Sequence, residues 1–318
     1  MTLTARIQAP EPFDFDLTVE HQTYYRGRAG ADLYADGAYY RALRRPGGGA
    51  FAVRAAPAGD GFLDVRLPAG GSASDLALAV EAVPRLLGFE ADLPGFYARL
   101  ASDPVLASTL GALHGLRPAR AETVFEALVM AVAAQQISGA VARVIRDGLM
   151  VSYGTRLEAD GHELHAFPTP EALVATGVDG LRAHKLSWRK SEYIHGIAVQ
   201  TLEGAIDDER LGAMDDDEAI AALTSVRGVG RWTAQWVLIR ALGRPDVLPE
   251  GDLALKRVVS ELYFGGEPMH ERRLAEFAQE RWSPYRGLVT TYLFAQLRRA
   301  RAAAAGAEIR APGLNRSP

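Results

Sequence analysis

The pattern of apolar and polar positions changes character near residue 110. Before it, Phe51-Ala-Val-Arg54 and Phe62-Leu-Asp-Val-Arg-Leu67 alternate in part with the period of a half-buried strand, and Ala56-Pro-Ala-Gly-Asp-Gly61 between them supplies the residues of a hairpin connection. Tyr39, Tyr40 and Leu43 stand at helical spacing ahead of the Pro46–Gly49 break, and Leu76, Leu78, Val80, Val83 and Leu87 can line one side of a helix over Ser74–Leu87. These signals predict a mixed α+β domain with an antiparallel sheet over residues 1–110.

Beyond about Phe96 the strand period gives way to a helical one. Helices are predicted over Leu93–Ala101, Pro104–Leu110, Val124–Arg146, Thr169–Ala175, Lys185–Glu203, Asp215–Leu223, Arg231–Leu242, Gly251–Leu262, Glu271–Gln279 and Pro284–Ala304, with turns at Thr176-Gly177 and Arg227-Gly228-Val229-Gly230. A mostly α-helical core over 111–304 follows, in an α+β chain overall. Residues 305–318, interrupted by Gly306, Pro312 and Gly313, read as a flexible tail.

Composition narrows the function classes. The chain is 48% hydrophobic and 23% charged, and no stretch approaches the roughly 18 apolar residues of a membrane span. Met1–Pro12 lacks the apolar segment of a secretion signal, so a cytoplasmic location is expected. With no cysteine there is no disulfide, cysteine-ligated zinc or iron–sulfur cluster. The seven histidines form no close HxxxH pair, and His162 and His165 fall in a polar stretch that reads as a loop, so no catalytic metal is expected. A net charge of -4 argues against a chain coated in nucleic acid while leaving room for a local basic face.

Two segments carry chemistry. In Leu223-Thr-Ser-Val-Arg-Gly-Val-Gly-Arg-Trp-Thr-Ala-Gln-Trp236, Gly228 and Gly230 can adopt dihedral angles closed to other residues and so reverse the chain between two helices. Val226 and Val229 would seal that turn from inside, while Thr233 and Ala234 keep the helices close. The amides opening the second helix then suit a backbone phosphate, although an ordinary helix–loop–helix turn explains the segment equally when it is taken alone. In Val247-Leu-Pro-Glu-Gly-Asp252-Leu-Ala-Leu-Lys-Arg257, Asp252 follows a Pro and a Gly at a helix start, where it can cap the helix and stand at the edge of a cleft.

The combination Leu-x-x-Val-x-Gly-Val-Gly-x-x-Thr-Ala, followed by Leu248-Pro-Glu-Gly-Asp-Leu-Ala-Leu-Lys256, resembles the helix–hairpin–helix glycosylase superfamily, and within it the DNA-3-methyladenine glycosylase II family. Ala133-Ala-Gln-Gln-Ile-Ser138, Ala183-His-Lys-Leu-Ser-Trp-Arg-Lys-Ser-Glu-Tyr-Ile194 and Asp36-Gly-Ala-Tyr-Tyr40 extend the resemblance over roughly residues 12–300. The resemblance makes Val226, Arg227, Gly228, Val229 and Gly230 the DNA-binding hairpin and Asp252 the catalytic carboxylate. Trp232 stands where bifunctional relatives carry a lysine nucleophile, which implies hydrolysis without a Schiff base. Trp232, Trp236 and Phe294, with Tyr292 close by in the same helix, match an aromatic base pocket, although two tryptophans four apart also suit a core seam.

Gln135, Gln136 and Ile137 would lie near the gap left by a flipped nucleotide, with Arg227, Arg231, Lys256 and Arg257 supplying the surrounding positive charge. The implied partner is damaged double-stranded DNA, for which a monomer suffices. No cofactor is expected beyond a structural monovalent cation at the hairpin. The expected activity is monofunctional excision of alkylated purines such as 3-methyladenine and 7-methylguanine. A glycosylase for uracil, hypoxanthine or an oxidised purine, and a non-catalytic helix–hairpin–helix DNA-binding protein, are the alternatives.

Overall fold

The computed structural model describes residues 3–23 and 30–310, with side chains as far as 303. Its elements are, in chain order, β1 (Thr4–Gln8), α1 (Phe15–Thr23), β2 (Asp32–Ala35), β3 (Ala38–Arg44), β4 (Ala50–Gly59), β5 (Phe62–Arg66), α2 (Ala73–Leu86), α3 (Leu93–Leu100), α4 (Ala107–Ala112), α5 (Val124–Ala134), α6 (Gly139–Tyr153), β6 (Thr155–Ala159), β7 (His162–Ala166), α7 (Pro170–Arg182), α8 (Trp188–Leu202), α9 (Asp208–Ala213), α10 (Asp216–Thr224), α11 (Arg231–Val237), α12 (Leu253–Tyr263), α13 (Glu271–Trp282) and α14 (Arg286–Arg310). An α+β domain preceding a helical core is the expected architecture.

The N-terminal sheet is antiparallel in the order β1-β5-β4-β3-β2. Tyr39, Tyr40 and Leu43 belong to its strand β3 and not to a helix. The sheet is covered on both faces: Tyr39, Leu43 and Val53 pack with Val83 and Leu86 of α2, while Tyr40, Ala42 and Ala52 pack with α5. A strand apolar on both sides shows no alternation, so its spacing imitates a helix. The His162–His165 stretch is likewise a strand: β7 pairs with β6, and the histidines bond Asp36 at 2.9 Å and Glu163 at 3.0 Å.

Arg41, fully buried in β3, fastens the two parts together. It bonds Asp32, Glu122 and Glu126, each at 2.8 Å. Burial weighs against its charge, but Glu126 and Glu122 outweigh that cost and hold the guanidinium above its ordinary range.

Two helical cores follow. One gathers α5, α8, α10 and α11 under the sheet. The other joins α12, α13 and α14 with α3 and α4. The predicted helix Val124–Arg146 is two helices, broken at Gln136 with φ 54° and restarted by Ser138, whose hydroxyl accepts from Val141 N–H. Gly177, at φ 69°, interrupts α7 at the expected turn. The last helix runs to Arg310, past the predicted end at Ala304; residues 311–318 of the expected tail lie outside the described residues.

Candidate active site and nucleic-acid interface

Between α10 and α11 the chain turns on two backbone bonds, Val226 N–H to Leu223 O at 3.1 Å and Val229 N–H to Val226 O at 3.0 Å, with both valines buried as expected. Gly228 has φ 92°, and a Cβ there would stand 2.3 Å from the Tyr193 ring, so no other residue fits. Gly230 differs from expectation. Its φ is -89°, and a Cβ would meet nothing within 4 Å. It is the N-cap of α11 without a capping side chain, so the first amides of that helix, at exposed Gly230 and Arg231, offer donors to a ligand.

The basic residues around the hairpin each have a carboxylate neighbour. Arg227 bonds Glu192 at 3.1 Å, Arg231 bonds Glu250 at 2.9 Å, Lys256 bonds Glu271 at 3.4 Å, and Arg257 lies 3.9 Å from Glu261. Exposed pairs of this kind are worth about 0–1 kcal/mol, so a phosphate can compete for the cations.

Asp252 caps α12. Its Oδ1 accepts the amides of Ala254 at 2.9 Å and Leu255 at 3.0 Å, and its Oδ2 accepts the indole N–H of Trp232 at 2.9 Å. Three donors fix the rotamer and leave carboxylate lone pairs for a further partner. Glu250 braces the same loop by accepting from Arg231 and from Gln235 at 2.5 Å.

The carboxylate stands on a cavity of about 320 Å³ between the two helical cores, the size of a small-ligand pocket. Trp232, Trp236 and Phe294 line it. The tryptophan rings meet edge-on with centroids 6.5 Å apart, and Trp236 lies 5.7 Å from Phe294. Tyr292 does not join them. It is buried in the second core, where its hydroxyl donates to Leu116 O at 2.7 Å and lies 2.7 Å from the Tyr97 hydroxyl. Positions 292 and 294 sit about 200° apart around a helix, so only one of them can face the cavity.

Alanines and Met130 make up much of the remaining lining, and polar groups that the sequence did not suggest reach the same space: Gln22, Arg120, Glu126, Arg146 and Arg240. The Gln22 side chain is locked to the Arg120 backbone by bonds of 2.8 and 3.0 Å. Arg120 reaches across Gly243, where a Cβ would stand 1.3 Å from its Nη1. Arg240 covers the Trp236 ring at 5.7 Å.

At the break after α5 the three predicted loop residues separate. The Gln135 side chain donates to Gly228 O and Thr233 Oγ1, both at 3.1 Å, and so braces the hairpin. Gln136 is exposed, and Ile137 packs on the first core. Lys190, within the Ala183–Ile194 segment, donates to Ala133 O at 3.1 Å and to Gln135 O, capping α5.

Exposed hairpin amides, a fixed carboxylate and an aromatic-walled cavity thus stand together at one place in the fold. Two family descriptions match: "AlkA N-terminal domain" over residues 4–122 and "HhH-GPD superfamily base excision DNA repair protein" over residues 129–284. The 3-methyladenine DNA-glycosylase of Archaeoglobus fulgidus superposes with TM-score 0.80 at 30% identity, covering 91% of this chain and 97% of that one. A 3-methyladenine DNA glycosylase of Schizosaccharomyces pombe in complex with abasic DNA superposes with TM-score 0.54 at 27% identity, over 63% of this chain and 94% of that one. The probable bifunctional transcriptional activator/DNA repair enzyme AlkA of Mycobacterium tuberculosis is 31% identical over 93% of this chain, which spans 57% of that relative's length. The chain belongs to the helix–hairpin–helix superfamily of base-excision DNA-repair proteins.

Proposed function

We propose that this protein is a monofunctional DNA glycosylase that draws a damaged base out of duplex DNA and hydrolyses its N-glycosidic bond, with alkylated purines such as 3-methyladenine and 7-methylguanine as substrates. The observation that carries this reading is the Asp252 carboxylate, held by three donors at the edge of the tryptophan-lined cavity. As the base leaves with the bonding electron pair, positive charge develops on the sugar, and a preorganised carboxylate stabilises it. Water then supplies the hydroxyl at C1′, and Asp252 can accept its proton. An alkylated purine is already cationic, so stacking on indole rings and an intrinsically good leaving group replace a dedicated acid.

The exposed amides at Gly230 and Arg231 bind a phosphate and position the duplex, while the cavity selects the base. A monovalent cation at the hairpin would use carbonyls such as Gly228 O, which already accepts from Gln135 and retains a second lone pair. One copy suffices for one flipped nucleotide. With cellular DNA as its substrate, the protein works in the cytoplasm, and no described helix is long and apolar enough to cross a membrane.

One observation favours a second reading. Arg120, Arg146 and Arg240 line the cavity, and guanidinium groups favour a neutral base with carbonyl acceptors, such as hypoxanthine, uracil or an oxidised purine, over a cation. A panel of otherwise identical duplexes bearing each lesion, scored for released base and strand integrity together, decides between them. Release of 3-methyladenine or 7-methylguanine is expected. Release confined to neutral lesions would transfer the assignment to the second reading, and binding without release of any base would leave a DNA-binding protein.

A further inference from the structure

Asp252 and Arg240 mark opposite ends of the cavity. Asp252 stands with Trp232, joined by the indole bond of 2.9 Å. From Trp232 the lining runs through Trp236 to Arg240, about 12 Å further along the helix at its usual rise. Arg240 lies in a single π-helical turn, Leu238–Leu242, a departure from α-helical geometry that recurs at functional sites. Two bonds dock this turn on the segment 119–121: Ala121 N–H to Arg240 O at 2.7 Å and Arg240 Nη1 to Ala119 O at 3.3 Å. Arg120, with Gln22 locked to its backbone, therefore lines the same inner end.

That end is rich in donors. A guanidinium carries five N–H groups and accepts nothing. The indole N–H of Trp236 and the Nε–H of Arg120 are both buried without a hydrogen-bond partner. Glu126, the carboxylate that lines the cavity besides Asp252, accepts from Arg41 at 2.8 Å and from Glu122 N–H at 3.2 Å. Buried polar groups are normally satisfied, so this surplus of donors calls for an acceptor on the ligand.

We propose that Arg240 reads the edge of the extruded base farthest from the sugar, and selects purines with an oxygen at C6 over purines with an amine there. A base with its sugar at Asp252 and its ring against Trp236 turns its six-membered ring toward Arg240, whose guanidinium carbon is 5.7 Å from the centre of the Trp236 ring. The C6 oxygen accepts from the guanidinium, as guanine does from arginine in duplex DNA, whereas a C6 amine sets donor against donor. The inference rests on the base-excising function proposed above and adds a preference within it: 7-methylguanine and hypoxanthine over 3-methyladenine.

Binding of free bases tests this without any chemistry, followed through the indole N–H resonances of Trp232 and Trp236. Wild type should hold hypoxanthine on the order of tenfold more tightly than adenine. Arg240→Gln, whose amide suits the C6 amine and N7 of adenine, should abolish or reverse that preference. Equal binding of the two bases by wild type, or binding of neither, overturns the proposal and needs no variant. A preference that survives in a folded Arg240→Gln protein overturns it as well.

Single-turnover release carries the test to duplex DNA. Arg240→Gln should slow release of 7-methylguanine about tenfold and leave 3-methyladenine unchanged or faster. Equal slowing of both would assign Arg240 to shaping the Trp236 wall and overturn its selective role. Release of no base by wild type would sink the glycosylase reading alone, because the free-base preference is measured independently of it.

Discussion

Trp232 donates its indole N–H to Asp252 Oδ2 across 2.9 Å, and that bond joins the helix launched by the hairpin to the helix capped by the carboxylate. The same indole forms part of the cavity wall. The hairpin amides at Gly230–Arg231, the Trp232 ring and the Asp252 carboxylate, to which the proposed function gives phosphate, base and sugar, therefore share a rigid frame, with Arg231–Glu250 as its second strut. Rigidity of this kind is what a preorganised carboxylate requires, since it must not reorient as charge develops.

Replacing Asp252 with Asn tests the charge apart from the cap. Asparagine caps a helix about as well as aspartate, so the folded state should lose well under about 1 kcal/mol. Loss of the negative charge should slow base release by about 10²-fold or more, with affinity for lesion DNA retained. Single-turnover release beside a thermal melt checks both halves. Near-normal release by a folded Asp252→Asn protein would remove Asp252 from the catalytic role.

The two hairpin glycines should respond differently. Gly228→Val forces a branched side chain into the left-handed region and against the Tyr193 ring, so it should destabilise the fold by roughly 2 kcal/mol or more. Gly230→Val meets open space at an ordinary φ and should fold normally, yet weaken duplex binding where the phosphate approaches the amides. Thermal midpoints and binding at fixed salt separate these effects. Equal melting of the two variants would contradict the assignment of Gly228 to the fold.

The sequence pattern carried the helical half of this architecture well and the sheet poorly, for physical reasons. Asp252 was legible as a helix cap because a helix start after Pro-Glu-Gly is a local signal, whereas Trp232 and Trp236 were read as pocket residues through the family resemblance, their spacing of four suiting a core seam as well. Tyr39, Tyr40 and Leu43 misled because β3 is buried on both faces. The split of Val124–Arg146 was hidden because Gln136 adopts a positive φ without being glycine. Gln22, Arg120 and Arg240 reach one cavity from distant parts of the chain, and only the packing of the two helical cores brings them together.

Acid should loosen the contact between the first and last described helices. His21 of α1 is buried and receives a bond from Arg298 of α14 at 3.0 Å. Burial first, then the charges of Arg298 and Arg240, hold its pKa well below 6.5. Unfolded, the imidazole takes up a proton near its ordinary pKa of about 6.5, while in the folded protein it resists. The stability it confers is therefore complete above that value and declines as pH falls through it toward the lower folded pKa. Melts at pH 7.5 and 5.5 should show a midpoint drop for wild type that is smaller in His21→Gln, and identical drops would refute the assignment.

The protein should leave an intact strand bearing an abasic site. A lyase needs an amine at the sugar carbon, and the chain has three lysines: Lys185, Lys190 and Lys256. Lys185 is exposed, and none of the three lines the cavity. Burial lowers the pKa of Lys190, which would favour a nucleophile, but its ammonium is spent on the carbonyls that end α5. Lys256 lies one turn beyond Asp252 and is turned toward Glu271 at 3.4 Å. At the position where the resemblance puts the nucleophile of lyase relatives stands Trp232, already bonded to the Asp252 carboxylate. Borohydride added during turnover should therefore trap no covalent complex, and the strand should break only after heat, alkali or an abasic-site endonuclease. Stoichiometric trapping that disappears in Lys256→Ala would make Lys256, and not water, the group that attacks C1′.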